Sequence, residues 1–197
     1  GNIPGAMALK VDPMVLVDLA KKVNPVAVIS GTNGKTTTTN LVADCLQTAG
    51  VPLYCKREGN NLQSGIVTSL MLAPDTSKVV DAASAAQAPV GCFECDEMYT
   101  KYVLPRLRPH YFMLLNLFRD QLDRCGEIDR IQDSIVEALA ASPETILVFN
   151  ADDPLCATIA KRASELPGRE RTRQIAFGVS ESMGLAQNTV SDATMCQ

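Results

Sequence analysis

The segment Ser30-Gly31-Thr32-Asn33-Gly34-Lys35-Thr36-Thr37 concentrates residue types that bind phosphate. Its two glycines permit backbone turns that a Cβ would obstruct. The apolar run Val26-Ala27-Val28-Ile29 precedes it and a helical pattern follows. At such a strand–helix junction the loop amides and the helix N-terminus converge on an anion. Lys35 is then placed to bridge the β- and γ-phosphates of ATP, and the Thr36 hydroxyl to hold Mg²⁺. Gly31, Thr32, Asn33, Gly34, Lys35, Thr36 and Thr37 are therefore the candidate ATP-binding residues. One position departs from the usual phosphate-loop pattern. Ile29 stands where the first glycine would be.

Other polar residues cluster at the ends of predicted strands, where open α/β sheets hold their ligands. Glu94 closes the run Val90-Gly91-Cys92-Phe93-Glu94 and is a candidate Mg²⁺ ligand beside Thr36. With Lys35 it makes up the candidate catalytic pair. Asn116 and Asp120 follow the strongly apolar Tyr111-Phe112-Met113-Leu114-Leu115-Asn116 run. Arg57 and Asn61 lie in a cationic, amide-rich loop suited to ATP or to a carboxylate substrate. These four are candidate substrate contacts.

The elements that must carry these residues alternate between strand and helix. Strands are expected at 26–29, 51–55, 90–94, 111–116, 146–150 and 175–179. Helices are expected at 36–49, 61–72, 96–107 as far as Pro105, 127–141 and 154–166, and a weaker one at 75–88. Gly50 and Pro74 mark helix ends. The alternation defines an α/β fold with a mostly parallel sheet flanked by helices. The tail at 180–197 is polar and Ser-rich.

Composition narrows the class. The 197 residues are 46% hydrophobic and 20% charged, ordinary for a globular domain with a core of its own. Eighteen basic against 22 acidic residues give a net charge of −4, which argues against a general nucleic-acid binder. No apolar run of about 18 residues or more suggests a membrane span, and the N-terminus lacks the apolar stretch of a secretory signal. Seven cysteines at irregular spacing point to a reducing compartment. Cys92-x-x-Cys95 has no second pair and reads as two buried thiols rather than a zinc knuckle. His110 is the only histidine, so no Ser-His-Asp or Cys-His arrangement can be assembled. A self-contained glutaminase is excluded on that ground.

Gly-Thr-Asn-Gly-Lys-Thr-Thr resembles the phosphate loop of the Mur ligase family, ATP-dependent carboxylate–amine ligases. The resemblance extends in order through Arg57-Glu58-Gly59-Asn60-Asn61-Leu62, Phe93-Glu94-Cys95-Asp96-Glu97, Leu115 to Arg124 (LNLFRDQLDR), and Asn150-Ala151-Asp152-Asp153-Pro154. The LNLFRDQLDR run is most similar to the MurT branch, the synthetase-like subunits of lipid II isoglutaminyl synthases. It has Gln121 where many Mur ligases carry a metal-binding histidine, and no lysine lies between Lys101 and Lys161 to be carbamylated. Lys56 and Asn60 replace the branch's usual Asn and Ala.

The resemblance implies a Mur ligase central domain over 1–197, ending at the start of a zinc-ribbon insertion and lacking the C-terminal ligase domain. It implies ATP and Mg²⁺ as cofactors, with Glu94 as metal ligand and Asn150 near the adenine. It implies amidation of the D-glutamate of lipid II, with ammonia from a GatD-like glutamine amidotransferase subunit. Such a protein works in the cytoplasm, at the inner face of the membrane. Cys196 corresponds to the first ligand of the ribbon; its other three cysteines are not in this chain, so no bound zinc is expected. Other Mur-type ligases, such as folylpolyglutamate synthase, and a non-catalytic nucleotide-binding module are the alternatives.

Overall fold

The computed structural model describes residues 2–55, 62–72, 88–118, 127–169 and 174–179. Six strands form one sheet: β1 (Val26–Ser30), β2 (Leu53–Cys55), β3 (Val90–Glu94), β4 (Tyr111–Leu114), β5 (Ile146–Asn150) and β6 (Gln174–Phe177). Every pair is parallel and the order is β2-β3-β1-β4-β5-β6. The most apolar run therefore becomes a central strand, as a parallel sheet requires. Ile29 pairs with Glu94 on one side and Ser30 with Leu114 on the other.

The sheet has two unlike faces. Val26, Val28, Phe93, Phe112, Leu114 and Leu147 point into the main core. They meet α4 (Gln63–Leu72), α5 (Thr100–Leu107), α6 (Glu127–Ala140) and α7 (Pro154–Ser164). The chain moves from β1 toward one edge through α3 (Lys35–Thr48) and returns through α4 and α5. Right-handed crossovers then put α3 on the opposite face, where it packs on β1, β2 and β3. The rows Cys55–Cys92–Ala27 and Glu94–Ile29 lie on that face. Farther along it, Tyr111, Ile175 and Phe177 stay exposed.

Two N-terminal helices have no counterpart in the sequence expectation: α1 (Ile3–Val11) and α2 (Val15–Ala20). α1 is apolar almost all round, with Lys10 its one charge, and α2 is only six residues long, so neither gives a 3.6-residue stripe to read. A close approach holds α1 to α4. The Gly5 N–H donates to Thr68 Oγ1 at 2.9 Å, and a Cβ at Gly5 would stand 2.0 Å from the Ser64 carbonyl.

Elsewhere the expected elements stand, with shifts at their ends. The helix expected at 96–107 opens with a 3-10 turn at Glu97–Tyr99, and α5 runs through Pro105 to Leu107. Proline removes one N–H in that last turn, but the helix ends only at Arg108, with φ at +45°. The strand expected at 51–55 begins at Leu53 and the one at 111–116 ends at Leu114. The last strand is Gln174–Phe177 rather than 175–179. Residues 75–87, covering the weakest expected helix, and the tail from 180 lie outside the described residues.

Cys92 and Cys95 are buried reduced thiols, as read from the sequence, and Cys156 is a third. Burial, then the Asp96 and Glu97 carboxylates, pushes the Cys95 thiol far above its ordinary value of 9.0. Burial and Asp153 do the same to Cys156. The sign follows directly. Above about pH 9 the unfolded thiols lose protons that the folded ones keep, so the unfolded state gains. Stability should be unaffected by these groups below pH 9 and fall above it, by up to about 1.4 kcal/mol per pH unit for each thiol. Urea unfolding between pH 7 and 10.5 measures this, and Cys156→Ala should show a shallower alkaline decline than the parent chain.

Candidate nucleotide site

The phosphate loop lies where the strand order reverses. The chain leaves β1 for one edge of the sheet, and only after β3 does it cross to β4 on the other side. The crevice outside the carboxyl ends of these strands is the ligand position of open α/β sheets. Both neighbours stitch the loop in place. On one side Cys95 N–H donates to the Ile29 carbonyl at 2.9 Å and Ser30 Oγ to the Cys95 carbonyl at 2.8 Å. On the other, Leu115 N–H donates to the Ser30 carbonyl and Thr32 N–H to the Asn116 carbonyl, each at 3.0 Å.

Gly31 is required by that stitching. Its φ is +141°, and a Cβ there would lie 3.0 Å from the Asn116 carbonyl oxygen. Gly34, at φ +82°, is the residue before α3 and brings no side chain to cap it. The first amides of any helix lack partners within it. Those of Lys35, Thr36 and Thr37 are consequently left for an anion, and the helix dipole adds positive potential there. Thr36 and Thr37 are exposed at this end.

Not every loop amide is available. The Asn33 N–H donates to Asn116 Oδ1 at 2.9 Å, and Asn116 Nδ2 donates back to the Asn33 carbonyl at 3.0 Å. Phe118 N–H donates to Thr32 Oγ1 at 3.1 Å. Asn116, a candidate substrate contact, also clamps the loop through the Asn33 backbone. Thr32 and Asn33 serve the same internal frame.

Lys35 folds over the loop. Its ammonium donates to the Gly31 carbonyl, and to that of Thr32 at 3.2 Å. It also stands 3.7 Å from Glu97 Oε2, with both side chains largely buried. Glu97 is not among the candidate site residues of the sequence. Asp96 caps the turn at Glu97–Tyr99, accepting from Met98 N–H. A counter-ion three residues past a strand end has no sequence signature, which is why its pairing with Lys35 was not foreseen.

Thr36 and Glu94 meet as expected. Thr36 Oγ1 donates to Glu94 Oε2 at 3.0 Å. Glu94 is 5% exposed, and its Oε1 is buried with no hydrogen-bond partner. A buried carboxylate oxygen without a donor is costly. A hydroxyl plus a carboxylate with a spare oxygen is a donor set that suits Mg²⁺, which takes oxygen ligands from few protein groups together with substrate phosphates. The residues present fit the ion.

Asn150 closes β5 on the same edge of the sheet, its Oδ1 accepting from Asp152 N–H at 3.0 Å. Of the two acids after it, Asp153 alone caps α7, receiving the Leu155 and Cys156 amides through Oδ1. Its Oδ2 accepts from Leu117 N–H at 3.0 Å and ties β5 to the segment after β4. Asp152 instead accepts from Val179 N–H beyond β6. His110 has a structural role, its Nδ1 accepting from Val26 N–H at 3.3 Å. Arg57, Asn61, Asp120 and Cys196 lie outside the described residues. Among the described residues no group of three metal-ligating side chains occurs, and no helix is long and apolar enough to cross a membrane.

Comparison with known proteins agrees with this geometry. Residues 29–192 match the Mur ligase middle domain. The chain belongs to the Mur ligase family. It is 36% identical over 153 residues to the Staphylococcus aureus lipid II isoglutaminyl synthase (glutamine-hydrolyzing) subunit MurT, covering 78% of this chain and 32% of that protein. It thus spans about a third of the length of that relative. Among solved structures it resembles MurF from Acinetobacter baumannii, with a TM-score of 0.62 at 17% identity over 85% of this chain and 34% of that one. It also resembles a bifunctional folylpolyglutamate synthase/dihydrofolate synthase bound to Mn, AMPPNP and L-glutamate, with a TM-score of 0.54 at 17% identity over 84% and 46% of the two chains. These likenesses establish the fold of a Mur ligase central domain.

The Asn116 clamp is testable without any ligand. Asn116→Ala removes one donor and one acceptor from the Asn33 backbone and should cost about 1–3 kcal/mol. Urea unfolding should show a lower midpoint with an unchanged slope.

Proposed function

We propose that this chain is the ATP-binding central domain of a MurT-like carboxylate–ammonia ligase that amidates the D-glutamate of lipid II. The observation that carries the nucleotide reading is the Thr36–Glu94 pair, with its orphaned carboxylate oxygen beside the uncapped start of α3. The finer reading of substrate and partner is supported by the identity to MurT and by the LNLFRDQLDR run.

In this reading the α3 amides and Lys35 take the β- and γ-phosphates. Lys35 exchanges the Gly31 and Thr32 carbonyls for phosphate oxygens, and Glu97 keeps its ammonium aimed. Thr36 and Glu94 hold Mg²⁺, which supplies charge neutralisation for phosphoryl transfer. The substrate carboxylate attacks the γ-phosphorus, ADP leaves, and an acyl phosphate forms. Ammonia then attacks the carbonyl carbon, loses a proton, and inorganic phosphate departs. Putting two anions together is the main electrostatic obstacle, and the cationic loop lowers it. Ammonia comes from a GatD-like glutaminase subunit, and Arg57, Asn61, Asn116 and Asp120 contact the substrate. The C-terminal ligase domain that closes over ATP belongs to the longer protein, as does any zinc ribbon beginning at Cys196. The complete enzyme acts in the cytoplasm, at the inner membrane face where its lipid-linked substrate is held.

Calorimetric titration with a non-hydrolysable Mg-ATP analogue tests the nucleotide reading. Saturable binding is expected, weakened at least tenfold in Lys35→Ala. Glu94→Gln should lose most of the Mg²⁺ dependence while keeping the affinity measured in chelator. Equal binding by Lys35→Ala and the parent would remove the phosphate-loop assignment. The reaction itself is read on the full-length protein with a glutaminase and lipid II. Amide formation from glutamine or ammonia is expected; transfer to an amino acid instead would make it another Mur-type ligase.

A further inference from the structure

The strands that carry the nucleotide site also bring two thiols into register. Cys55, the last residue of the edge strand β2, is the direct pairing partner of Cys92 on β3. Their side chains share the α3 face of the sheet, and the adjacent Cys55 thiol, together with burial, holds the Cys92 thiol far above its ordinary value. The nucleotide reading uses neither. Paired strands run about 4.8 Å apart, inside the roughly 4.4–6.8 Å Cα separation that a disulfide spans. Their Cβ atoms, side by side at nearly the same spacing, lie just beyond the usual disulfide range, so bridging requires β2 to move slightly toward β3.

That movement is available. β2 is three residues long and, among the described residues, pairs only with β3 and has no strand on its other side. The two thiols also differ in access. Cys92 is fully buried, whereas Cys55 is half-buried and lines a cavity of about 320 Å³ with Gln47, Val51, Pro52 and Leu53. A small oxidant entering there meets Cys55 first, with Cys92 behind it as the resolving thiol.

We propose that Cys55 and Cys92 form a redox-responsive dithiol that closes to a disulfide after a hydroperoxide oxidises Cys55. The Cys55 sulfur attacks the peroxide O–O bond and gains an oxygen, becoming a sulfenic acid while the alcohol or water leaves. The Cys92 sulfur then attacks the Cys55 sulfur. The S–OH bond breaks, the S–S bond forms, and hydroxide leaves with the Cys92 proton as water. Two electrons have passed from the sulfurs to the peroxide. The strain of linking side-by-side strands keeps the bond easily reduced by thiols, as in labile, regulatory disulfides. The modification falls one side-chain row from Glu94 on the same face of β3.

The test is a peptide map of the protein after one equivalent of hydrogen peroxide, with remaining thiols blocked on unfolding. A Cys55–Cys92 cross-linked peptide lacking two hydrogen atoms is expected, reversed by dithiothreitol. This arm needs no variant. Cys92→Ser should leave Cys55 as a sulfenic acid that dimedone captures, and Cys55→Ser should leave Cys92 reduced. The proposal is overturned if Cys55 stays reduced while the exposed Cys45 is oxidised. It is equally overturned if oxidised Cys55 joins any thiol other than Cys92.

Discussion

The first turn of α3 presents amide hydrogens that no described residue receives, and the surrounding structure is arranged to keep it so. A serine or aspartate before Lys35 would satisfy one amide and block the approach of a phosphate. Gly34 does neither. The deficit is stabilised from behind. β1 ends between two parallel neighbours, so the loop it feeds is hydrogen-bonded to both before the helix begins. The loop's shape is therefore set by the sheet and exists before any ligand arrives.

Around that deficit the charges are graded by burial. Glu97 is close to the Lys35 ammonium and shares its burial, which holds the lysine near the loop. Glu94 is committed through one oxygen to Thr36 and leaves the other without a donor. One carboxylate thus compensates a side-chain cation, and the other is left to compensate an ion from solution. The two acids are three residues apart, but the end of β3 lies between them. The turn capped by Asp96 sends Glu97 toward Lys35 rather than Thr36.

Much of this was legible in the sequence. The strand–loop–helix junction, the parallel alternation and the pairing of Thr36 with Glu94 follow from apolar runs, glycine spacing and the rule that ligands gather at strand ends. What was not legible has physical causes. α1 is apolar almost all round and α2 is only six residues long, so no periodicity marks them. The contact of Asn116 with the Asn33 backbone has no sequence signal, because a side-chain amide looks the same in sequence whether it meets a ligand or a neighbouring backbone. That contact spans 83 residues and depends on β1 and β4 being adjacent. The Lys35–Glu97 pair and the division of labour between Asp152 and Asp153 likewise arise only when separate strands are brought side by side.

The folded-back Lys35 has a further consequence. Its ammonium already holds two carbonyls and a carboxylate, so on the proposed reading a nucleotide would not meet a naked cation; it would displace internal ligands one for one. Binding is an exchange, and its net gain is the difference between phosphate oxygens and carbonyl oxygens as acceptors. A small anion with few oxygens recovers little in that exchange, whereas a triphosphate engages the lysine and several α3 amides together. The loop can thereby discriminate by the number of simultaneous contacts, remaining largely indifferent to the free phosphate and carboxylates that surround it.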